Sequence, residues 1–334
     1  MVTLADVARH AGVSSSTVSY VLSGKRTISE ETRRRVEQAV AELGYHPNAR
    51  ARALAARRSY ILALVVPLRA DSHEPIMMEI ATSVTVAARQ YGYDVLLITN
   101  DEGPEGVRRV ALTGLADGVI LMDVGLDDER IPVLRELGTQ AALIGLPDDR
   151  AGLSCVDHDF AAAGAMCADH LADLGHREIA FVGHTSDTRH DNPTVVGFRE
   201  RAQERGLRFV HRASEGNYDS TAGTFARIFA DRPATTAFVV QNDGAIGPLL
   251  NLLRTSGRTV PEDASVVALC PDRVAEQHTP RLTTVSGSYQ DLGRVAVEQL
   301  LRRLTAVSRG EEPTDEQLLL TPTLTVREST APRV

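Results

Sequence analysis

The spacing of apolar residues divides the chain into two regimes. Up to about residue 45 they recur every three or four positions: Leu4, Val7, Ala8 and Ala11, then Val18, Val21 and Leu22, then Val36, Ala39, Val40 and Leu43. Each set falls on one face of a helix, so three short helices are predicted. The punctuation agrees: Gly12 permits a tight turn, Ser14 is placed to cap the second helix, Ser29 caps the third, and Gly44 ends it. Two short helices joined across a glycine turn and closed by a third make a helix-turn-helix head.

Beyond residue 60 the period changes. "ILALVV", "DVLLI", "GVILM", "AALIG", "EIAFVG", "TAFVV" and "SVVAL" are short apolar, β-branched runs, separated by helical stretches such as 77–91, 159–174 and 194–205. Strands that are apolar on both sides, alternating with helices, predict parallel sheets covered on both faces. Roughly 270 residues of this pattern suggest two similar lobes in tandem. The expected fold is an N-terminal all-α helix-turn-helix head plus an α/β body of two doubly wound parallel-sheet lobes.

Charge sharpens the division. The chain as a whole carries −8, but residues 1–60 hold 10 Lys and Arg against 5 Asp and Glu, while the remainder holds 26 against 39. A basic head on an acidic body suits contact with a polyanion without indiscriminate adhesion. In a helix-turn-helix the second helix enters the major groove, and its outward residues here are Ser15, Ser16, Thr17, Ser19 and Tyr20. Short hydroxyls donate and accept at base edges and phosphates, Tyr20 adds reach, and Lys25 and Arg26 follow at backbone height. No apolar run approaches the ~18–20 residues of a membrane span. The chain opens with no basic and apolar leader, and its three cysteines, Cys155, Cys167 and Cys270, are odd in number and widely spaced. A cytoplasmic location is expected from these features.

The stretch "VTLADVARHAGVSSSTVSYVLSGKRTISEETRRRVEQAVAELGYHPNARARALAARRS" resembles the DNA-binding head and hinge of the LacI/GalR family of bacterial transcription regulators. The likeness continues in "ADGVIL", "LGHREIAFVG", "QNDGAIG", "PEDASVVAL", "TPRLTTV" and "TPTLTVREST", covering nearly the whole chain. The resemblance implies a head of 1–46, a hinge of 47–59, and a periplasmic-binding-protein-like body of 60–334. Ser15, Ser16 and Tyr20 take the family's base-reading positions, within a DNA-contacting set that also holds Thr3, Ser14, Thr17, Ser19, Lys25 and Arg26. The segment from Asn48 to Ala56 is the hinge that becomes helical in the minor groove, bringing Asn48, Arg50, Ala51, Leu54 and Ala55 to the DNA, with Leu54 as a wedge. Taken from the residues alone, Leu54 in its Ala/Arg-rich setting suits either a wedge at a kinked step or a core position.

By the same resemblance the chain crosses between lobes near 156, 287 and 315. This gives an N-lobe of about 60–156 and 288–314, and a C-lobe of about 157–286 and 316–330. A small-molecule effector, carbohydrate-like in most relatives, is expected between them at the carboxyl ends of the strands. The loop "RADSHEPIMMEI" places Ser72, His73, Glu74 and Pro75 where relatives touch the effector; Tyr218 takes a stacking position, and Asn242 and Asp243 match a pocket-edge pair. His73 and Glu74 are equally compatible with an ordinary loop. Two positions depart from the family: the usual pocket arginine reads Thr194, and the usual aspartate reads Cys270. Charged hydrogen bonds of that kind are worth about 1.5–3 kcal/mol each, so their loss argues against a simple monosaccharide. Arg189 and Asp272 are the nearby charges able to substitute, and Cys270 itself suits a buried apolar role.

An enzyme is not expected. The chain holds no GxGxxG after a strand, P-loop, HExxH, GxSxG or cysteine pair at metal spacing, and no cofactor or metal is implied. "HTSDTRHD", with His184, His190 and Asp191, suits a pocket-rim loop better than a catalytic cluster. A transport receptor would share the body but have no use for a basic head. The expected partners are a pseudo-palindromic operator, an effector and a second copy of the chain, because paired half-sites require two-fold symmetry. The tail after "TLTVREST" is too short to build a tetramerising bundle.

Overall fold

The computed structural model describes residues 2–23, 26, 28–45, 58–66, 74–99, 103–185 and 192–333. The head contains α1 (Leu4–Ala11), α2 (Ser15–Ser23) and α3 (Glu30–Leu43). Thr3 and Asp6 form a capping box at the start of α1, and Gly12 ends it in the left-handed region at φ 64°. Ser29 caps α3 through the Thr32 amide, and Gly44 closes it, also left-handed. Val7, Ala8, Ala11, Val18, Val36, Ala39 and Tyr45 form the buried centre. Leu22 departs from the expected inner face: it is exposed, because Val18 and Val21 already fill the side of α2 that meets α1 and α3.

Two six-stranded sheets make the body. The first uses β1 (Ile61–Val65), β2 (Asp94–Ile98), β3 (Gly118–Leu121), β4 (Ala141–Ile144), β5 (Ser154–His158) and β11 (Gln317–Leu320), in the order β11-β5-β4-β3-β1-β2, all parallel. The second uses β6 (Glu178–His184), β7 (Arg208–Ser214), β8 (Ala237–Val240), β9 (Ser265–Ala268), β10 (Thr283–Ser286) and β12 (Thr323–Thr325), in the order β12-β10-β9-β8-β6-β7, with β12 alone antiparallel. Alternation along β1 shows why such runs are apolar throughout. Leu62 and Leu64 pack into the core under α4 (Glu74–Gln90) and α12 (Tyr289–Ser308), while Ala63 and Val65 face α5 (Gly103–Thr113) and α6 (Arg130–Glu136). The second sheet is flanked by α7 (Phe160–Asp173), α8 (Pro193–Glu204), α9 (Tyr218–Asp231), α10 (Ile246–Thr255) and the short α11 (Asp272–Ala275). Among the described residues no helix is long and apolar enough to cross a membrane.

Three connections join the lobes: Asp159 between β5 and α7, residues 287–288 between β10 and α12, and residues 321–322 between β11 and β12. The third lies later than the expected position near 315, and the first slightly later than 156. Residues 317–320 pair in parallel with Cys155–His158, completing the backbone hydrogen bonds on the open side of β5, so they belong to the N-lobe sheet. Asp157 and His158 stay in that sheet for the same reason.

Candidate DNA-binding surface and interlobe cleft

In the head, the serines divide into two groups. Ser14 Oγ accepts the Thr17 amide at 3.1 Å and exchanges hydrogen bonds with the Ser16 and Thr17 hydroxyls, both at 2.8 Å. Ser14 therefore caps α2, and Thr17 is drawn partly inward. Ser15, Ser16, Ser19 and Tyr20 remain exposed along the outer side of α2. The Arg26 guanidinium lies 5.8 Å from the Tyr20 ring centroid, a cation–π contact that orients both side chains. Arg35 ties the turn down by donating to the Ala11 and Gly12 carbonyls at 2.5 and 3.2 Å. Thr3 Oγ1 accepts the Asp6 amide, so this residue caps α1 as well as standing at the surface. Lys25, Asn48, Arg50, Ala51, Leu54 and Ala55 lie outside the described residues.

Between the lobes is a cavity of about 530 Å³. Its lining comes from the carboxyl ends of strands in both sheets: Asp123 just after β3, His158 at the end of β5, His184 at the end of β6, Gln241 after β8, Cys270 after β9, and Ser286 at the end of β10. Ligands bind at this end of parallel sheets because the loops there are free to vary while the strands fix their roots. Asp123 sits at φ 53°, a conformation that aspartate tolerates better than most residues. Its loop is held by buried Arg130, which donates to the Met122 and Asp123 carbonyls at 3.1 and 3.0 Å and pairs with Asp128 at 2.6 Å.

His158 ties the cavity to the lobe connections. Its ring meets Phe160 and Tyr289 edge-on, with centroids 5.9 and 5.1 Å away. Gly287 lies flat against it; a Cβ there would come within 2.3 Å of the ring. Burial lowers the His158 pKa, keeping the imidazole neutral, and its Nε2 is buried without a protein partner. Arg273 on α11 and Glu79 on α4 form an ion pair at 3.4 Å that spans the two lobes.

Of the residues expected around the effector, Thr194, Asp243 and Cys270 line this cavity. Thr194 lies in the first turn of α8, where Asn192 Oδ1 accepts its amide at 3.0 Å. The Cys270 thiol is pushed up to about 12 by burial and then by the nearby Asp243 and Asp272 carboxylates, so it is an inert apolar wall. Three other expectations do not meet the cavity. Tyr218 begins α9 half-exposed and is not among the lining residues. Asn242 is occupied structurally, donating to the Ser214 carbonyl at 2.8 Å and accepting the Gly244 amide at 3.1 Å. Asp272 is not among the lining residues either, and it is held by the Thr284 hydroxyl at 2.6 Å and Arg327 at 2.8 Å. Ser72, His73 and Arg189 lie outside the described residues, as do the side chains of Glu74 and Pro75. Sequence reasoning missed Asp123, His158, Gln241 and Tyr289; the available signal was their position at the end of an apolar run or at the start of a helix that follows one.

Comparison with known proteins agrees with this architecture. Residues 3–48 match the family described as bacterial regulatory proteins, lacI family, and residues 168–330 match a periplasmic binding protein-like domain. The HTH-type transcriptional regulator CelR of Thermobifida fusca is 33% identical over 98% of both chains. Catabolite control protein A of Streptococcus mutans is 32% identical over 96% of this chain and 95% of its own. Among solved structures, a lac repressor dimer bound to operator and the anti-inducer ONPF superposes with a TM-score of 0.78 at 25% identity, covering 99% of both chains. A CelR–cellobiose complex superposes at 0.69 and 31% identity, covering 98% of this chain and 100% of that one. A helix-turn-helix carried on two hinged lobes, matched along its whole length by regulators of one kind, places the chain in the lacI family as a DNA-binding transcriptional regulator rather than an enzyme.

Proposed function

We propose that this regulator is a cytoplasmic repressor that acts as a homodimer on a two-fold operator and that a carbohydrate held between its lobes sets its operator affinity. The observation that carries this reading is the position of the cavity. Carboxyl ends of both sheets converge on it, and His158, Gly287 and Pro322, at or beside the three lobe connections, help to line it. A ligand that bridges the lobes there favours one interlobe angle over another. The hinge, at 47–59 behind a head of 1–46, passes that angle to the DNA. When the lobes reorient, paired hinge segments separate and the minor-groove contacts of Leu54, Arg50 and their neighbours are lost. A ligand shifts the DNA equilibrium only by its differential affinity for the two states, so a coupling of roughly 1–3 kcal/mol per site is expected. The cellobiose complex of the related CelR supports a sugar as occupant, and the dimeric lac repressor on its operator supports the symmetry.

The head divides its work in this reading: Ser15, Ser16 and Tyr20 read bases, while Lys25, Arg26 and the hinge arginines hold phosphates. The test is to select DNA from a random pool with the full chain, then measure binding to a panel of singly substituted sites at two salt concentrations. Ser16→Ala and Tyr20→Ala flatten discrimination between sites, by up to ~1–3 kcal/mol for a good base contact. Arg26→Ala weakens binding to every site and reduces the salt slope by about one unit. A uniform loss across the panel for Ser16→Ala and Tyr20→Ala would make α2 a positioning element only. Cellobiose that binds the protein without changing operator affinity would refute the proposed coupling.

A further inference from the structure

One side chain on the cavity lining faces both ways, toward a ligand and toward the joint between the lobes. His158 ends β5, one residue before the first lobe connection, and Gly287 and Ser288 form the second. A hydrogen bond between the ring and the Ser288 backbone favours the protonated imidazole, so the ring donates and the carbonyl accepts. Nε2 has no partner among the described residues, so the donor is Nδ1, and Nε2 of the neutral ring holds a lone pair. A Cβ on Gly287 would stand 2.3, 2.4 and 2.6 Å from Cδ2, Nε2 and Cγ. Such near-equal distances put Gly287 over the ring face, where it leaves the in-plane lone pair uncovered. The third connection is tied to the same place, because the Asp159 amide donates to the Leu320 carbonyl at 2.9 Å. Asp123, His184 and Asp243 also line the cavity but already have interactions of their own. Gln241 Oε1 shares the unpartnered state, yet it follows β8 within the C-lobe, whereas His158 stands where the lobes join.

A buried acceptor left unmatched carries a desolvation penalty, and His158 is only 5% exposed, so a donor brought to Nε2 gains that penalty back as well as the bond. The gain depends on the ring keeping its place. A change of interlobe angle that swings residues 287–288 against β5 either breaks the Ser288 bond or turns Nε2 off the ligand. The two angles then differ in ligand affinity, which is what coupling requires. We propose that His158 is the residue through which the cleft reads its occupant: Nε2 accepts a hydrogen bond from a sugar hydroxyl while Nδ1 holds the Ser288 carbonyl, so that occupancy fixes the joint between the lobes. This rests on the carbohydrate reading above and names the side chain that couples the sugar to the lobe angle.

The experiment uses the full chain, with calorimetry of cellobiose and its monodeoxy derivatives and operator binding with and without saturating cellobiose. His158→Phe keeps an aromatic ring against Phe160 and Tyr289 but loses both hydrogen bonds, and it binds cellobiose about tenfold more weakly. At saturation the sugar also changes its operator affinity less than it changes that of the wild type. His158→Gln carries both an N–H and an accepting oxygen and recovers part of each loss. One deoxy derivative costs the wild type about tenfold and His158→Phe nothing further, because both deletions remove the same bond. A second measurement needs no stable variant: in protein labelled with 15N-histidine, the Nε2 resonance of His158 moves upfield when cellobiose is added. Deoxy derivatives that lose the same factor on both proteins, or an Nε2 resonance that stays in place as cellobiose binds, overturn the proposal and leave His158 a packing residue served by water. If the wild type does not bind cellobiose at all, the carbohydrate reading fails first and the proposal falls with it.

Discussion

The neighbours Asp157 and His158 show how much one step along a strand changes. His158 turns toward the cavity, while Asp157 is shut away from it, with Oδ1 accepting the His158 amide at 2.8 Å. Burial raises the Asp157 pKa to about 6, although that amide pulls the other way. The folded state therefore holds this proton more tightly than the unfolded chain, where an aspartate titrates near ~3.9. The stabilisation from the bound proton is complete below about pH 4 and is lost as pH rises through about 6. Asp157→Asn keeps the acceptor and removes the charge, so it stabilises the body by about 2–3 kcal/mol at pH 7.5 and hardly at all at pH 4. Thermal or urea unfolding across that range checks the sign; a variant less stable at pH 7.5 would mean that the carboxylate is stabilised by a charge partner. None of this was legible beforehand, because "SCVDH" carries too few apolar residues to announce a strand buried on both sides.

At the level of elements, the crossing of α7 and α8 decides the position of Thr194. Gly164 and Gly197 face one another's helices so closely that a Cβ on either would stand 2.0 Å from a backbone oxygen, that of Thr194 or of Ala161. Contact at this distance lets Phe198 and Val195 seat beside Ala163 and Cys167 in one buried cluster, and it brings the start of α8 to the cavity. Gly197→Ala forces the helices apart and destabilises by about 1–3 kcal/mol, even though alanine would favour an isolated helix by roughly 1 kcal/mol. Urea denaturation measures the balance, and a net gain in stability would show that the helices do not meet at these glycines. The helices themselves were predictable from periodicity to within a few residues. Their crossing was not, since a glycine inside a helical pattern reads locally as a weakness.

Across the whole molecule, β2 forms one edge of the N-lobe sheet and leaves Leu96 and Leu97 exposed, with Val86 and Leu112 exposed on the flanking helices. An edge strand with bare leucines is an association surface unless something covers it. If the proposed homodimer forms across this edge, the second copy is that cover. Leu97→Glu therefore raises the dimer dissociation constant by roughly 100-fold or more, because a buried charge without a partner costs several kcal/mol. Light scattering at micromolar concentration reports the monomer directly, and operator affinity falls with it. A dimer of unchanged strength would move the interface elsewhere on the body.

What the sequence determined by itself is whatever depends on near neighbours: the capped helices of the head, the serine-lined outer side of α2, and the alternation of apolar strands and helices that dictates two parallel-sheet lobes. Periodicity and capping act over a few residues, and so they survive in one dimension. The tertiary structure decided what depends on strand pairing and on distant segments meeting. Gln317–Leu320 joined the N-lobe sheet because β5 had an open edge. Asn242 and Asp272 were drawn into C-lobe contacts with Ser214, Thr284 and Arg327 that no spacing announces. His158, Asp123 and Gln241 came to line one cavity because the parallel strands of both lobes present their carboxyl ends to one cleft, where residues far apart in the chain meet.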